Sequence, residues 1–243
     1  MSRPLAVITG GGRGIGAAIS KRLAEDGYDI ILTYNNSSKP AEMVVEEIRN
    51  SGIDAVALKV DCSDKGEVGL LGIHAWMTRG VDALILNHGE YRRIAAEDME
   101  LEDLERTMRV NFEGSVRVWK TLQKHLKEDA KMVVVSSQLG IKGSPHGADY
   151  SASKAALSAW ARSLSQTVGN SGKRVNIIAP GFVDTDILAG DSAQKRAERI
   201  ELVPQKRIGT PEDIAGVASF LCGKDSKYVN GAIIHVNGGL YLP

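Results

Sequence analysis

Short runs of aliphatic, often β-branched residues alternate along the chain with longer stretches whose apolar positions recur at helical spacing. The runs near 4–9, 28–34, 54–60, 82–87, 131–136, 174–179 and 232–236 read as buried strands. The stretches at about 15–26, 39–50, 64–78, 101–127, 149–171 and 211–222 read as helices. Strands that alternate with helices form βαβ units, so the pattern predicts an α/β protein with one doubly wound, parallel sheet of about seven strands flanked by helices. In such a sheet the ligand crevice lies at the carboxyl ends of the strands. No linker, repeat or charge run divides the chain, and residues 1–243 are expected to form a single domain. The segment at about 181–206 breaks the alternation. It is polar and charged, as in Gln194-Lys-Arg-Ala-Glu-Arg199, and reads either as a solvated helix or as a cover over the crevice.

The first strand, Leu5-Ala-Val-Ile-Thr9, runs directly into Gly10-Gly-Gly-Arg-Gly-Ile-Gly16, and helical character follows to Asp26. Strand, glycine turn and helix in this order form a dinucleotide site. Glycines let the backbone approach a pyrophosphate, and the helix N-terminus turns unpaired N–H groups toward its charge. Gly10, Gly12, Arg13, Gly14, Ile15 and Gly16 are the candidate contacts.

A second feature is Tyr150-Ser-Ala-Ser-Lys154, with Ser137 thirteen residues upstream behind the apolar run Met132–Val135. Residues four apart share a helix face. A neighbouring ammonium lowers a phenol's pKa from its usual value of about 10. Lys154 is therefore expected to make Tyr150 an acid–base usable near neutrality.

Composition narrows the function. Thirty Lys and Arg balance thirty Asp and Glu, which argues against a generic nucleic-acid footprint. No apolar stretch approaches the ~18–20 residues of a membrane span. The chain enters a strand at once, leaving no room for a signal peptide, and Cys62 and Cys222 have neither metal-site nor disulfide-framework spacing. A soluble, cytoplasmic protein without a bound metal is expected.

The spacing T-G-x-x-x-G-x-G at Thr9–Gly16, taken with Ser137, Tyr150 and Lys154, resembles the short-chain dehydrogenase/reductase family, and the match runs nearly end to end. Asn87-His-Gly89 is similar to the family's N-N-A-G turn, with His88 where alanine is usual. Asn111 falls at its helical asparagine, Pro180–Thr185 matches P-G-x-x-x-T, and Gly209–Ile214 and Val236–Gly239 match its C-terminal signature. The resemblance implies a Rossmann-type fold and hydride transfer between a nicotinamide and a carbonyl or alcohol carbon. It makes Tyr150 the general acid–base, with Lys154 supporting it and binding the nicotinamide ribose. It makes Ser137 the substrate-oxygen donor, with neighbouring Ser136 as rival, and gives Asn111 a water that links Lys154 to solvent. Pro180, Gly181, Val183 and Thr185 would hold the carboxamide, Asp61 and Cys62 the adenine, and Asn87 and Gly89 the adenosine side; Asp61 could equally cap the following helix. The segment 181–206 becomes a substrate lid.

The second strand ends Thr33-Tyr34-Asn35-Asn36-Ser37-Ser38, with no acidic residue where NAD sites usually hold one for the ribose 2′-hydroxyl. Arg13 can give a 2′-phosphate a charge-assisted contact, and Tyr34, Asn35, Asn36 and Ser37 surround that position. NADP is therefore preferred over NAD. The expected activity is an NADP-dependent carbonyl reductase or alcohol dehydrogenase acting on a small molecule.

One alternative is a 3-oxoacyl-carrier-protein reductase, the group this chain most resembles in overall look. Glu128 and Ser171 stand where that group carries docking arginines, with Lys127, Lys173 and Arg174 nearby. The other alternative is a non-catalytic dinucleotide sensor or scaffold. Family members commonly pair the helices here expected at 101–127 and 149–171, which implies a homotetramer, with a dimer as the smaller option. Val116, Val118, Trp119, Leu122, Leu157, Trp160 and Leu164 are the candidate contacts.

Overall fold

The computed structural model describes residues 3–242. Seven parallel strands form one sheet: β1 (Leu5–Ile8), β2 (Asp29–Tyr34), β3 (Ala55–Lys59), β4 (Val81–Leu86), β5 (Leu126–Val135), β6 (Arg174–Pro180) and β7 (Ile233–Val236). Their order is β3-β2-β1-β4-β5-β6-β7. Direction of winding reverses between β1 and β4, so a crevice opens above their carboxyl ends.

Side chains alternate along each strand, and both faces are buried. Ala6, Ile8, Ile30, Leu32, Ile85, Val133 and Ile178 fill one layer, under α1 (Gly14–Glu25), α2 (Ser38–Asn50) and α9 (Pro211–Cys222). Val7, Ile31, Leu84, Leu86, Met132, Val134 and Ile177 fill the other. That layer packs beneath α3 (Lys65–Gly72), α5 (Gly114–Leu122) and α7 (Ala148–Val168), the last preceded by the short α6 (Leu139–Lys142). Burial on both faces explains why the strands read as unbroken apolar runs.

Two helices predicted as single elements are divided. The stretch 64–78 holds α3, capped by Asp64 through Glu67 N, and then a separate 3-10 turn at Ala75–Arg79. Gly72 ends α3 against Thr121, whose Cγ2 would lie 2.6 Å from a Cβ there. The stretch 101–127 comprises α4 (Leu101–Met108), a π-turn at Arg109–Glu113, and α5. Its end belongs to β5, which begins at Leu126 and pairs with Val81. Lys127 there binds both oxygens of Asp82, whose Oδ2 also accepts from Leu5 N. The charged residues Lys127–Lys131 thus lie in the first half of strand β5.

The segment 181–206 contains a 3-10 turn, Asp186–Leu188, and α8 (Ala193–Leu202). Of the side chains expected on a subunit interface, Val118, Leu122, Leu157 and Leu164 are instead consumed by the chain's own core. Val116, Trp119 and Trp160 remain half-buried, and the two indoles meet edge to face at 5.9 Å.

The π-turn positions the site. Gly114 N donates to Arg109 O, five residues back, leaving Val110 O outside the α-helical ladder at that step. His88 takes it up: Nε2 lies 3.2 Å from Val110 O and Nδ1 lies 2.8 Å from Thr9 Oγ1. A carbonyl only accepts, so Nε2 carries the proton and Nδ1 accepts from the threonine hydroxyl. The imidazole thereby ties the end of β1 to the π-turn, and with both ring nitrogens partnered its role is structural.

Burial, and secondarily the charge on Lys154, hold His88 down at about 4. A pKa held below its unfolded value stabilises the fold above pH ~6.5, and that stability is lost as pH falls toward 4. At about 1.4 kcal/mol per unit, the loss is at most about 3–4 kcal/mol. Chemical denaturation of wild type and His88→Ala between pH 7 and 4 is expected to show a shallower acid-side decline in the variant.

Candidate functional site

A cavity of about 810 Å³ lies along the carboxyl ends of the strands. Gly10, Gly12, Arg13, Gly14, Ile15 and Gly16 form one wall, and Tyr34, Asn35, Asn36, Ser37, Asp61 and Cys62 extend it past β2 and β3. Asn87, Gly89, Ser137, Tyr150 and Lys154 line the middle, with Pro180, Gly181, Val183 and Thr185 opposite. Asn111 is fully buried behind this wall. All predicted site residues therefore converge, Asn111 from the second layer.

Close approach dictates the glycine turn. A Cβ on Gly16 would lie 2.1 Å from Gly10 O and 2.6 Å from Asn87 Nδ2. Gly10 itself has φ +63°, a conformation that side chains disfavour. The Asn87 amide donates to Thr9 O at 3.1 Å and Gly10 O at 3.0 Å, so it braces the turn. Gly11 N donates to Thr33 O at 2.9 Å, tying the turn to β2. Arg13, the N-cap of α1, makes no side-chain cap, which leaves the helix N-terminus open toward the cavity.

At the centre, Lys154 is 3% exposed and its Nζ donates to Val135 O at 2.9 Å. A Cβ on Gly89 would stand 3.3 Å from Nζ and 3.1 Å from Asn111 Oδ1, so glycine there admits both groups. Asn111 Oδ1 accepts from Glu90 N at 2.8 Å. Its Nδ2 donates to Glu90 O and Ser153 Oγ, each at 3.0 Å. Asn111 thereby clamps the chain after Gly89 to α7, one turn from Tyr150. Ser136 and Ser137 separate cleanly. The Ser136 hydroxyl is spent on Lys154 O and Ser158 Oγ, whereas Ser137 Oγ accepts from Leu139 N and faces the cavity beside the Tyr150 hydroxyl.

The expected depression of the Tyr150 pKa is not found. Burial pushes the phenol up to about 12, with the Ser137 hydroxyl opposing and Tyr91 reinforcing the rise. The Lys154 ammonium stands 5.7 Å from the ring centroid, directed at Val135 O, so it gives the phenolate no direct contact. Burial brings Lys154 down to about 8.

At the other end, Asn35 Nδ2 donates to Asp61 Oδ2 at 2.9 Å, and Ser63 supplies two bonds to Oδ1. Burial pulls the Asp61 pKa upward, yet the Ser63 and Asn35 bonds outweigh it and hold the group low. The cap of α3 is Asp64 rather than Asp61.

Several lining residues had no motif to announce them. Tyr91 packs edge to face on Tyr150 at 5.1 Å and donates to His146 O at 2.8 Å. Arg106 grips Glu90 with two bonds, at 2.9 and 3.0 Å. Arg199 stacks on Phe182 at 4.5 Å and pairs with Asp191, whose side chain is 3% exposed. Among the described residues, no cluster of His, Cys, Asp or Glu could hold a metal ion, and no helix is long and apolar enough to cross a membrane.

Comparison with known proteins agrees with this geometry. A family model described as Enoyl-(Acyl carrier protein) reductase matches residues 10–241. The chain is 32% identical over 240 residues to the 3-oxoacyl-(acyl-carrier-protein) reductase FabG of Staphylococcus aureus (strain Mu50), covering 98% of each chain. It is 34% identical over 251 residues to the versicolorin reductase stcU of Emericella nidulans, covering 98% of this chain and 95% of the relative. A short-chain dehydrogenase from Burkholderia cenocepacia in complex with NADP superposes with a TM-score of 0.92 at 33% identity, over 98% of this chain and 97% of that one. A blue fluorescent protein from a metagenomic library, in complex with NADPH, gives a TM-score of 0.92 at 33% identity over 98% of both chains. With its parallel sheet, glycine turn and Ser137–Tyr150–Lys154 cluster, the chain belongs to the short-chain dehydrogenase/reductase family of oxidoreductases.

Proposed function

We propose that this chain is an NADP-dependent reductase that interconverts a small carbonyl compound and an alcohol at the Ser137–Tyr150–Lys154 cluster. The carrying observation is the convergence of Ser137, Tyr150 and Lys154 on one cavity that the glycine turn also lines. The cofactor reading is supported by the fit of the cradle. Gly12 faces Ala41, whose Cβ would lie 2.7 Å from one added there, so the turn lies close on α2. The N-terminus of α1 is uncapped, and the end of β2 offers Tyr34, Asn35, Asn36 and Ser37 rather than a carboxylate, with Arg13 of the glycine turn lining the same cavity. The relatives solved with NADP and NADPH support the same choice.

When bound, the cofactor supplies the hydride. This chain's residues supply the proton and hold the oxygen. At about 12, Tyr150 is protonated at neutral pH and donates to the oxygen on which negative charge develops. Ser137 Oγ, which stands beside the Tyr150 hydroxyl, turns its proton to the same oxygen when the substrate is bound. Lys154, at about 8, is mostly charged at pH 7 and stabilises negative charge in the centre of the site. Asn111 is a positioning residue that fixes the Gly89–Glu90 backbone against α7.

Delivery of the substrate on a carrier protein gains no support from the cations near Glu128 and Ser171. Lys127 is committed to Asp82, and Arg174 is buried against Ser226 and Gly223. Lys173 contacts Ser171 Oγ at 3.1 Å. A free small-molecule carbonyl is the better reading, and a full set of proton-handling groups weighs against a purely non-catalytic role. Pairing of copies through the half-buried Trp119 and Trp160, with the C-terminal segment from Gly238 joining a second interface, would give the expected homotetramer, which light scattering would test.

Tyr150→Phe is expected to lower turnover by at least ~10²–10⁴-fold while NADPH affinity stays near wild type; wild-type turnover in this variant sinks the assignment. Turnover for reduction is expected to fall as pH rises through about 8. The charged form of Lys154 exists below its pKa and is lost above it. A flat profile from pH 7 to 9.5 contradicts that role. Arg13→Ala is expected to reduce kcat/KM for NADPH by about ten- to a hundredfold, with far less change for NADH.

A further inference from the structure

Arg13 has a partner that no motif announces. Its Nη1 donates to Asp186 Oδ2 at 2.7 Å, across 173 positions of sequence. Asp186 begins the turn Asp186–Leu188 directly after Thr185. There the chain rests on the glycine turn itself, for Thr185 Cγ2 lies 3.3 Å from the place of a Cβ on Gly14. The ion pair therefore bridges the two walls of the groove at the narrow point between the glycine turn and the segment after β6. Both residues line the same cavity.

We infer that Asp186 is a determinant of cofactor specificity: an internal carboxylate that occupies Arg13 until a 2′-phosphate replaces it. The inference rests on the reading of Arg13 given above.

The exchange is physically plain. Both side chains are solvated, at 61% and 70% exposure, so packing does not hold them together. The contact has the strength of a surface ion pair, which a doubly charged phosphate outcompetes. Other neighbouring carboxylates are committed. Asp184 is paired with Arg196 at 3.0 Å, and Asp61 is held by Asn35 and Ser63. No second carboxylate among the described residues contacts Arg13.

NADH carries no phosphate at that ribose, so the pair persists beside it and its binding is indifferent to Asp186. NADPH draws Arg13 away, and its affinity reflects the difference between two ion pairs rather than one new contact. Exchange also frees the Asp186–Leu188 turn, which follows directly on the Thr185 that lies against Gly14. Asp186 thus sets cofactor preference without requiring contact with the cofactor.

The test titrates wild type, Asp186→Asn, Arg13→Ala and the double variant with NADPH and NADH at low salt. Adenosine 2′,5′-bisphosphate and AMP serve as probes that differ only in the 2′-phosphate. Asp186 is exposed, so the substitution leaves the core untouched. Asp186→Asn is expected to tighten NADPH and adenosine 2′,5′-bisphosphate by about two- to fivefold, the range of a surface pair. NADH and AMP should not change, and the gain should vanish in the Arg13→Ala background. An equal gain with both cofactors, a gain that survives without Arg13, or no gain overturns the inference. If Arg13→Ala weakens NADPH and NADH alike, the failure lies one step earlier, in the assignment of Arg13 to the phosphate, and the inference falls with it.

Discussion

The site is organised around one costly group, the ammonium of Lys154, which is almost wholly removed from solvent. Burying a charge without compensation costs several kcal/mol, and the protein answers in two ways. Val135 O, freed at the end of β5, accepts from Nζ. The remaining penalty appears as a pKa brought down to about 8. That arrangement requires β5 to end at Val135, Gly89 to lack a side chain, and α7 to present Lys154 inward. Gly89 is in turn held by the Asn111 clamp, and Asn111 by the π-turn that His88 ties to Thr9. The glycine turn and the proton-handling cluster thus share one brace, since Thr9 also receives Asn87 N.

Much of this was legible in the sequence because the constraints are local and periodic. Strands buried on both faces leave continuous apolar runs, and a glycine whose Cβ would strike a carbonyl is irreplaceable wherever it falls. Tyr150 and Lys154 lie four apart on one helix, which fixes their shared face. What sequence could not show depends on partners distant in the chain. The helix at 101–127 reads as continuous because a π-turn keeps helical backbone on both sides, and its one-residue shift of phase leaves no breaker in the sequence. Its last residues look helical and charged, yet the Lys127–Asp82 contact and the pairing with Val81 make them strand. Likewise Val118, Leu122, Leu157 and Leu164 have the pattern of a surplus apolar face, but only the packed layer shows that the core uses them.

The electrostatic expectation for Tyr150 failed for an instructive reason. Spacing places Lys154 on the same face as the phenol, but a flexible four-carbon stem chooses its own acceptor, and a backbone carbonyl captures it. Proximity by sequence sets what two groups can do; the competing acceptors decide what they do. The same lesson governs Arg13. Its place in the glycine turn was evident, whereas the carboxylate that engages it lies on a segment whose only sequence signal was its polarity.

The resulting protonation pattern has a direction built into it. With Tyr150 near 12 and Lys154 near 8, the resting site at neutral pH holds a neutral phenol beside a cation. That is the form needed to give a proton to an oxygen gaining charge. Removing a proton from an alcohol requires the phenolate, which burial disfavours and which only a closer cation would stabilise. Lys154 must then leave Val135 O or gain a further partner before it can support phenolate. A catalyst does not set the equilibrium between carbonyl and alcohol. The packing around Tyr150 raises its pKa and so reinforces the protonated form that an ordinary phenol already holds at neutral pH, the form in which the proposed proton donor would meet a carbonyl.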